Sequence, residues 1–445
     1  MAERFDLIVR GGTCLTPAGR VDTDIGVSDG RIAAIGDLGQ APAEAVFEAK
    51  GLHVLPGVID SQVHFREPGG EHKEDLESGT RAAVMGGVTA VFEMPNTSPP
   101  TVTAADLTDK IRRAGGRAWC DFAFFVGAAK ANVNRLAGLE QLAGCCGIKV
   151  FMGSSTGSLL VEGKALLRDV MSRGRRRIAI HAEDEGRLKA RRELAEDGGK
   201  PYCHPIWRDE ETALIATRRA LELAGETGRR IHILHVTTAQ ETELLARHKA
   251  LATVEVTPQH LTLAAPDVYE RLGTLAQMNP PIRDEKHRAG LWKAVASGIV
   301  DVIGSDHAPH TLEEKANPYP DSPSGMPGVQ TLVPVMLNHV NEGRLTLERF
   351  VDLTATGPAR IYNVARKGRI AVGYDGDFTI VDLKAKRTIT NDWIASKCGW
   401  TPFDGMDVTG WPAATIIRGH VVMRDDETVG TPTGRTVPFM DTGAI

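Results

Sequence analysis

Residues 57–67 read GVIDSQVHFRE, an apolar and β-branched run that ends in polar residues. Drawn out as a strand, it sets Gln62, His64 and Arg66 two apart on one face, with Val63 and Phe65 on the other. An amide, an imidazole and a guanidinium together suit a pocket that holds a metal and an anionic ligand. One histidine is a weak metal signal, so what matters is whether other strands end the same way.

From about Gly57 to Ala365, short β-branched runs alternate with longer stretches of helical spacing, the rhythm of βα units. Strands are predicted at Gly57 to Phe65, Val88 to Met94, Ala118 to Val126, Gly147 to Phe151, Arg177 to His181, Arg230 to Val236, Thr253 to Thr257 and Val300 to Ser305. Helical segments such as LESGTRAAVMGG, DEETALIATRRALELAGETG and EKHRAGLWKAVASG lie between them. Eight strands are the number that closes a (β/α)8 barrel. Outside this region, DLIVRGG, DIGVSDG, RIAAIGD and GLHVLPG near the start, and GRIAVGYDGDFTIVDL and AATIIRGHVVMRDDE near the end, read as short strands between Gly and Asp turns. The expected fold is α/β: a TIM-type barrel over residues 57–365 with a small β-sandwich domain built from both chain termini, residues 1–56 and 366–445.

A chain of 445 residues accommodates that plan, and 42% hydrophobic with 24% charged residues is the composition of an ordinary soluble globular protein. The 52 basic and 57 acidic residues leave a net charge of −5, which gives no general attraction for nucleic acid or an anionic membrane. Cys14, Cys120, Cys145, Cys146, Cys203 and Cys398 form no CxxC pair and read as reduced thiols of a cytoplasmic protein. The opening MAERFDLIVRGG lacks the pattern of a signal peptide, and no apolar run approaches the roughly 20 residues of a membrane-spanning helix.

In a barrel of this type the reactive groups gather at the carboxyl ends of the strands. His64 and Arg66 end the first strand, Asn96 follows the second, Lys149 sits in the fourth and His181 closes the fifth. His235 closes the sixth, His260 follows the seventh, and Asp306, His307 and His310 follow the eighth. Any one histidine is more economically a hydrogen-bonded core group; the repetition argues for one shared site. Lys149, in GIKVFMG, falls in a run expected to be buried on both faces, where burial favours the neutral amine. It reads as a snorkelling or ion-paired lysine, a Schiff base, a proton carrier, or a carbamylated amine bridging two metals; with His181 and His235 on adjacent strands, the carbamate is preferred. Asp306, in GSDHAPH, reads as a helix cap, or as a metal ligand that takes a proton from water and returns it to a leaving nitrogen. Arg66 either pairs with Glu67 or Asp60 or holds a substrate carboxylate by two parallel hydrogen bonds.

The stretches HFREPG, EMPNTSP, GIKVFM, IHAED, ILHVTT, EVTPQHL, MNPPIR and SDHAPHT, in that order, resemble the cyclic amidohydrolases of the amidohydrolase superfamily, and within them the dihydroorotases. The flanking β segments resemble the accessory sandwich of that family. The resemblance implies metal bound by His64, Lys149 as a carbamate, His181, His235 and Asp306, with one or two zinc ions per chain. It implies substrate held by Arg66, Asn96, Asn279 and His310, Asp306 as the catalytic acid-base group, and His260 near the metals. Thr311 to Gly328 resembles the loop that shapes the substrate mouth. The implied activity is reversible hydrolysis of dihydroorotate to N-carbamoyl-aspartate in pyrimidine biosynthesis, by a cytoplasmic homo-oligomer, dimer or tetramer. Its rivals are an allantoinase or hydantoinase-like cyclic amidase, and a non-catalytic relative associated with aspartate transcarbamoylase. One position departs: Gln62 stands where most of the superfamily has histidine, and a neutral amide oxygen is a poorer zinc ligand than imidazole.

Overall fold

A computed structural model describes residues 4–154 and 159–441. Eight parallel strands, Val58–Val63, Val88–Glu93, Asp121–Gly127, Cys145–Phe151, Ile178–His181, Ile231–Ile233, Ala252–Val256 and Val302–Ile303, lie side by side in chain order. The last meets the first through a parallel bridge of Val63 with His307, and the His64 N–H donates to the His307 carbonyl at 2.7 Å. The sheet thus closes on itself as the barrel expected from the sequence. Its strands are buried on both faces, which explains why they read as nearly continuous apolar runs rather than alternating ones.

The helices begin and end where local chemistry dictates. Glu210–Thr227 opens on Asp209, whose carboxylate accepts from the Thr212 N–H, and stops at Gly228 in the left-handed region, φ 68°. Glu285–Ala296 opens on Asp284 in the same manner, and Leu76–Met85 on a reciprocal Asp75–Ser78 capping box. No helix among the described residues is long and apolar enough to cross a membrane.

Both ends of the chain build a second, nine-stranded sheet. Phe5–Thr16 pairs antiparallel with Gly19–Ser28 and parallel with Ala43–Glu48 and His53–Pro56. His53–Pro56 then pairs antiparallel with Phe378–Thr388, joining the two ends of the sequence. The sheet curls around a core that draws Leu7, Val27, Phe47, Phe378 and Ile416 together from distant strands. The segment that follows runs back along the barrel: Gly434 N–H donates to Ala118 O, and Val437 N–H to Phe122 O, both at 2.9 Å. Pairing of the third strand with the second starts at Asp121 opposite Ala90, so the strand begins at Asp121, not at Ala118 as the apolar run suggested.

A buried ion cluster ties sheet to barrel. Lys367 Nζ lies 2.7 Å from Asp121 and 3.2 Å from Asp375 and also bonds Asp377, while Arg418 pairs with Asp121 as well. Burial opposes the Lys367 charge, but the three carboxylates outweigh it and raise its pKa above the ordinary lysine value. Removing the cation leaves buried Asp377 without an ion-pair partner among the described residues and weakens the compensation of Asp121 and Asp375. Lys367→Met is therefore expected to destabilise the fold by about 3 kcal/mol, read as a lower thermal unfolding midpoint with unchanged activity per folded molecule. A midpoint equal to the parent's would mean that the cluster contributes nothing.

Candidate active site

Gln62, His64, Arg66, Asn96, Lys149, His181, His235, Asn279 and Asp306 line one cavity at the carboxyl ends of the strands. Of the residues singled out in the sequence, His310 lies a layer behind: its Nε2 is 3.2 Å from Arg66 Nη2 and 3.1 Å from the Ser324 carbonyl, and its Nδ1 is 3.0 Å from Lys73 Nζ. His260 is also set back, bonded to Thr257 Oγ1 at 2.8 Å and to the Pro280 carbonyl at 3.0 Å. A wider cleft of about 420 Å³, bordered by Leu15, Pro17, Pro56, Val351 and Ile370, has no histidine or lysine in its lining.

The route by which Arg66 reaches the cavity differs from the extended strand read in the sequence. Hydrogen-bonded strand ends at Val63, and Arg66 takes a left-handed backbone conformation, φ 63°. His235 and Asp306 share this, with φ of 35° and 46°. Non-glycine residues held there cost about 1 kcal/mol or more each and persist only where the surroundings over-determine them. Three such positions on one cavity wall mean that the fold favours the aim of these side chains over backbone comfort.

The imidazoles fall into two settings. On one side, His181 Nε2 lies 2.9 Å from Glu183 Oε2, and Arg208 grips Glu183 with Nη2 at 2.5 Å and Nε at 3.1 Å. Burial works against the charged carboxylate, but Arg208 and then His181 hold Glu183 well below the usual carboxylate range. An ionised carboxylate only accepts, so His181 carries its proton on Nε2 and turns the lone pair of Nδ1 toward His235 Nε2, 3.1 Å away. His235 Nδ1 is buried without a hydrogen-bond partner among the described residues. Burial lowers the pKa of both rings, which are neutral and available as ligands.

On the other side, His64 Nδ1 lies 2.7 Å from Asn96 Oδ1 and its Nε2 lies 3.2 Å from Asp306 Oδ1. With Nδ1–H given to the amide, a lone pair faces a carboxylate oxygen, an arrangement that a cation between them would relieve. Gln62 completes this half differently from a histidine: its Nε2 donates to Asp306 Oδ1 at 2.9 Å, leaving Oε1 buried with no partner among the described residues. The reverse amide orientation would set oxygen against carboxylate. Gln62 therefore braces Asp306 and offers the cavity one unused acceptor.

Lys149 comes from the fourth strand, 1% exposed, with Nζ 4.6 Å from the Phe151 ring centre. Burial brings it down to about 7, only partly opposed by Asp306 and Glu255. It makes no ion pair within 4.0 Å among the described residues, so the ion-paired alternative read from the sequence does not hold. Arg66 is likewise buried, brought down to about 10 by desolvation, and among the described residues is bonded only to neutral groups, the Pro309 carbonyl at 3.1 Å and His310. Among the described residues no three His, Cys, Asp or Glu side chains gather into a closed metal cage. The donors come instead as a His181–His235 pair and a His64–Asp306 pair, with Lys149 in electrostatic reach of both.

Glu183 and Arg208 were not picked out in the sequence, although the carboxylate two residues after His181 in IHAED was a local signal. Buried Glu255 was also missed; it accepts from Ser61 at 3.0 Å and is pushed up to about 8 by desolvation.

Comparison with known proteins agrees with this geometry. Residues 53–422 match the model of the amidohydrolase family. The chain is 38% identical over 423 residues to a dihydroorotase of Halobacterium salinarum, covering 94% of this chain and 97% of the relative. It is 34% identical over 443 residues to an allantoinase of Deinococcus radiodurans, covering 97% and 98%. An L-hydantoinase (dihydropyrimidinase) from Arthrobacter aurescens superposes with a TM-score of 0.92 at 31% identity, covering 97% of this chain and 99% of that one. With the barrel, the polar cavity at its strand ends and a family match over most of the sequence in agreement, the chain belongs to the amidohydrolase family.

Proposed function

We propose that the protein is a dihydroorotase, opening the ring of dihydroorotate by hydrolysis of its cyclic amide to give N-carbamoyl-aspartate, and closing it in reverse. In this proposal residues 57–365 form the hydrolytic domain, and residues 1–56 with 366–445 its accessory domain. The observation that carries the proposal is Arg66: a buried guanidinium on the cavity wall that makes no ion pair among the described residues. A guanidinium without a protein carboxylate suits a ligand that brings its own. Dihydroorotate has a carboxylate beside its ring; allantoin and simple hydantoins do not.

The donor set suits zinc, which takes nitrogen and oxygen ligands in tetrahedral array. His181 and His235 on one side, His64 and Asp306 on the other, would hold it, with Lys149 as a carbamate contributing oxygens to both. The Lys149 amine, neutral in part near pH 7, adds to the carbon of CO2 and loses a proton to become that carbamate. Zinc would supply positive charge that polarises the scissile carbonyl and makes water a better nucleophile. Asp306 accepts a proton from the attacking water, then delivers it to the ring nitrogen as the carbon–nitrogen bond breaks. Gln62 Nε2 donates to Asp306 Oδ1, keeping the carboxylate aimed at that path. Arg66, Asn96 and Asn279 orient the substrate, and His310 steadies Arg66 from behind.

Metal analysis of the purified protein, paired with rates on dihydroorotate and on allantoin, tests the proposal. Arg66→Met is expected to leave metal content unchanged and to lower kcat/KM for dihydroorotate by roughly 10- to 100-fold, the loss of a charged hydrogen bond. Any turnover of neutral cyclic amides is expected to change far less. Equal losses on both substrate types, or a parent that prefers allantoin, would remove Arg66 from the carboxylate role and the dihydroorotase reading with it.

A further inference from the structure

We infer that His204 is a positioning residue that commits the Asn279 side chain to donate hydrogen bonds into the active-site cavity. His204 belongs to residues 201–208, PYCHPIWR, and is fully buried. Its Nε2 lies 3.0 Å from the Met278 carbonyl and 2.9 Å from Asn279 Oδ1. A peptide carbonyl can only accept, so Nε2 carries the ring hydrogen. An N–H at that point requires an acceptor from Asn279 as well; the opposite amide orientation would set two donors against each other. The amide oxygen is thereby occupied, and the NH2 end is left for the cavity that Asn279 lines.

The other ring nitrogen agrees with this assignment. His204 Nδ1 is a lone pair, and the Tyr319 hydroxyl, 3.5 Å away, is placed to donate to it. Burial and then the charge of Arg208 bring His204 down to about 3, so the ring is neutral and keeps one tautomer through the physiological range. Donation runs one way, from Tyr319 to His204 to Asn279 to the ligand. Tyr319 belongs to the 311–328 segment, so the loop proposed to shape the mouth reaches the ligand through this chain. The ligand must place an acceptor oxygen, carboxylate or carbonyl, against Asn279; an N–H or hydroxyl donor in that place is rejected. This deepens, and rests on, the reading of the cavity as a dihydroorotate site.

Two measurements test it. In the 15N-histidine-labelled holoenzyme, long-range proton–nitrogen correlations are expected to show His204 as the neutral Nε2–H tautomer, unchanged between pH 6 and 9. An Nδ1–H tautomer overturns the assignment whatever the substrate. In kinetics, His204→Phe is expected to raise KM for dihydroorotate roughly tenfold, the loss of one oriented hydrogen bond, with kcat altered by less than about threefold. In an Asn279→Ala background the same change is expected to cost nothing, because the residue through which it acts is gone. His204→Gln, which keeps a side-chain N–H, is expected to recover part of the loss. An equal penalty with and without Asn279 would make His204 merely structural and sink the proposal. If the parent protein does not turn over dihydroorotate, the functional reading fails separately, and the tautomer alone decides the role of His204.

Discussion

Lys149→Ala is expected to lower kcat/KM by roughly a thousandfold or more and to strip most of the bound metal, the scale of losing a group that organises charge stabilisation. The expectation follows from three facts about one side chain. Lys149 is sealed in the fourth strand at 1% exposure, no carboxylate pairs with it among the described residues, and burial brings its amine to about 7. A lysine in such a place does not stabilise the barrel through its charge, since desolvation costs are unrepaid. As a carbamate it would become an anion between two pairs of donors, one of which, His181–His235, has no oxygen ligand of its own. Alanine removes the carbamate and leaves a space about the size of the lost chain, so acetate or propionate added with zinc is expected to restore part of the rate and the metal. Metal per chain and initial rates over a series of small acids make the measurement. Full metal content and full activity without added acid would show Lys149 to be structural only.

The sequence was most informative where local rules decide the outcome. The βα rhythm located all eight barrel strands, and Asp75, Asp209 and Asp284 cap helices where apolar periodicity begins. It was less informative where the chain meets itself at long range. The predicted eighth strand, Val300 to Ser305, pairs with its neighbour at Val302–Ile303, and the backbone turns left-handed at Asp306. No local pattern announces such a turn at an aspartate. Gln62 reads in the sequence only as a softened metal ligand, because Asp306, to which its Nε2 also donates, is 244 residues away. His204 was invisible for the same reason, its partner Asn279 being 75 residues on. The segment 201–208 reaches the cavity lining twice, Arg208 through Glu183 to His181 and His204 to Asn279. Residue types at strand ends thus identified which groups meet, while the tautomers and amide orientations that set their roles depend on neighbours distant in the chain.

Asp306→Asn is expected to lower kcat by about 10³- to 10⁴-fold with KM nearly unchanged, the scale of losing a general acid–base group. The substitution is nearly isosteric and keeps an oxygen for Gln62 Nε2, which now donates to Asp306 Oδ1 at 2.9 Å, so the left-handed turn at φ 46° and the fold around it are expected to survive. What the proposed mechanism would lose is the capacity to accept a proton from water and return it to the departing nitrogen, a step common to every cyclic amide the cavity admits. The penalty should therefore fall equally on dihydroorotate and on any neutral substrate, in contrast with Arg66→Met, whose effect depends on a carboxylate. That difference separates chemistry from recognition within one cavity. Metal at the His181–His235 pair is expected to remain, because among the described residues neither imidazole is hydrogen-bonded to Asp306, and Glu183 with Arg208 holds His181 independently. Paired rates on the two substrates, with metal content measured on the same samples, decide the matter. A loss below about tenfold with metal intact would mean that another group moves the proton, and that Asp306 serves only as a ligand.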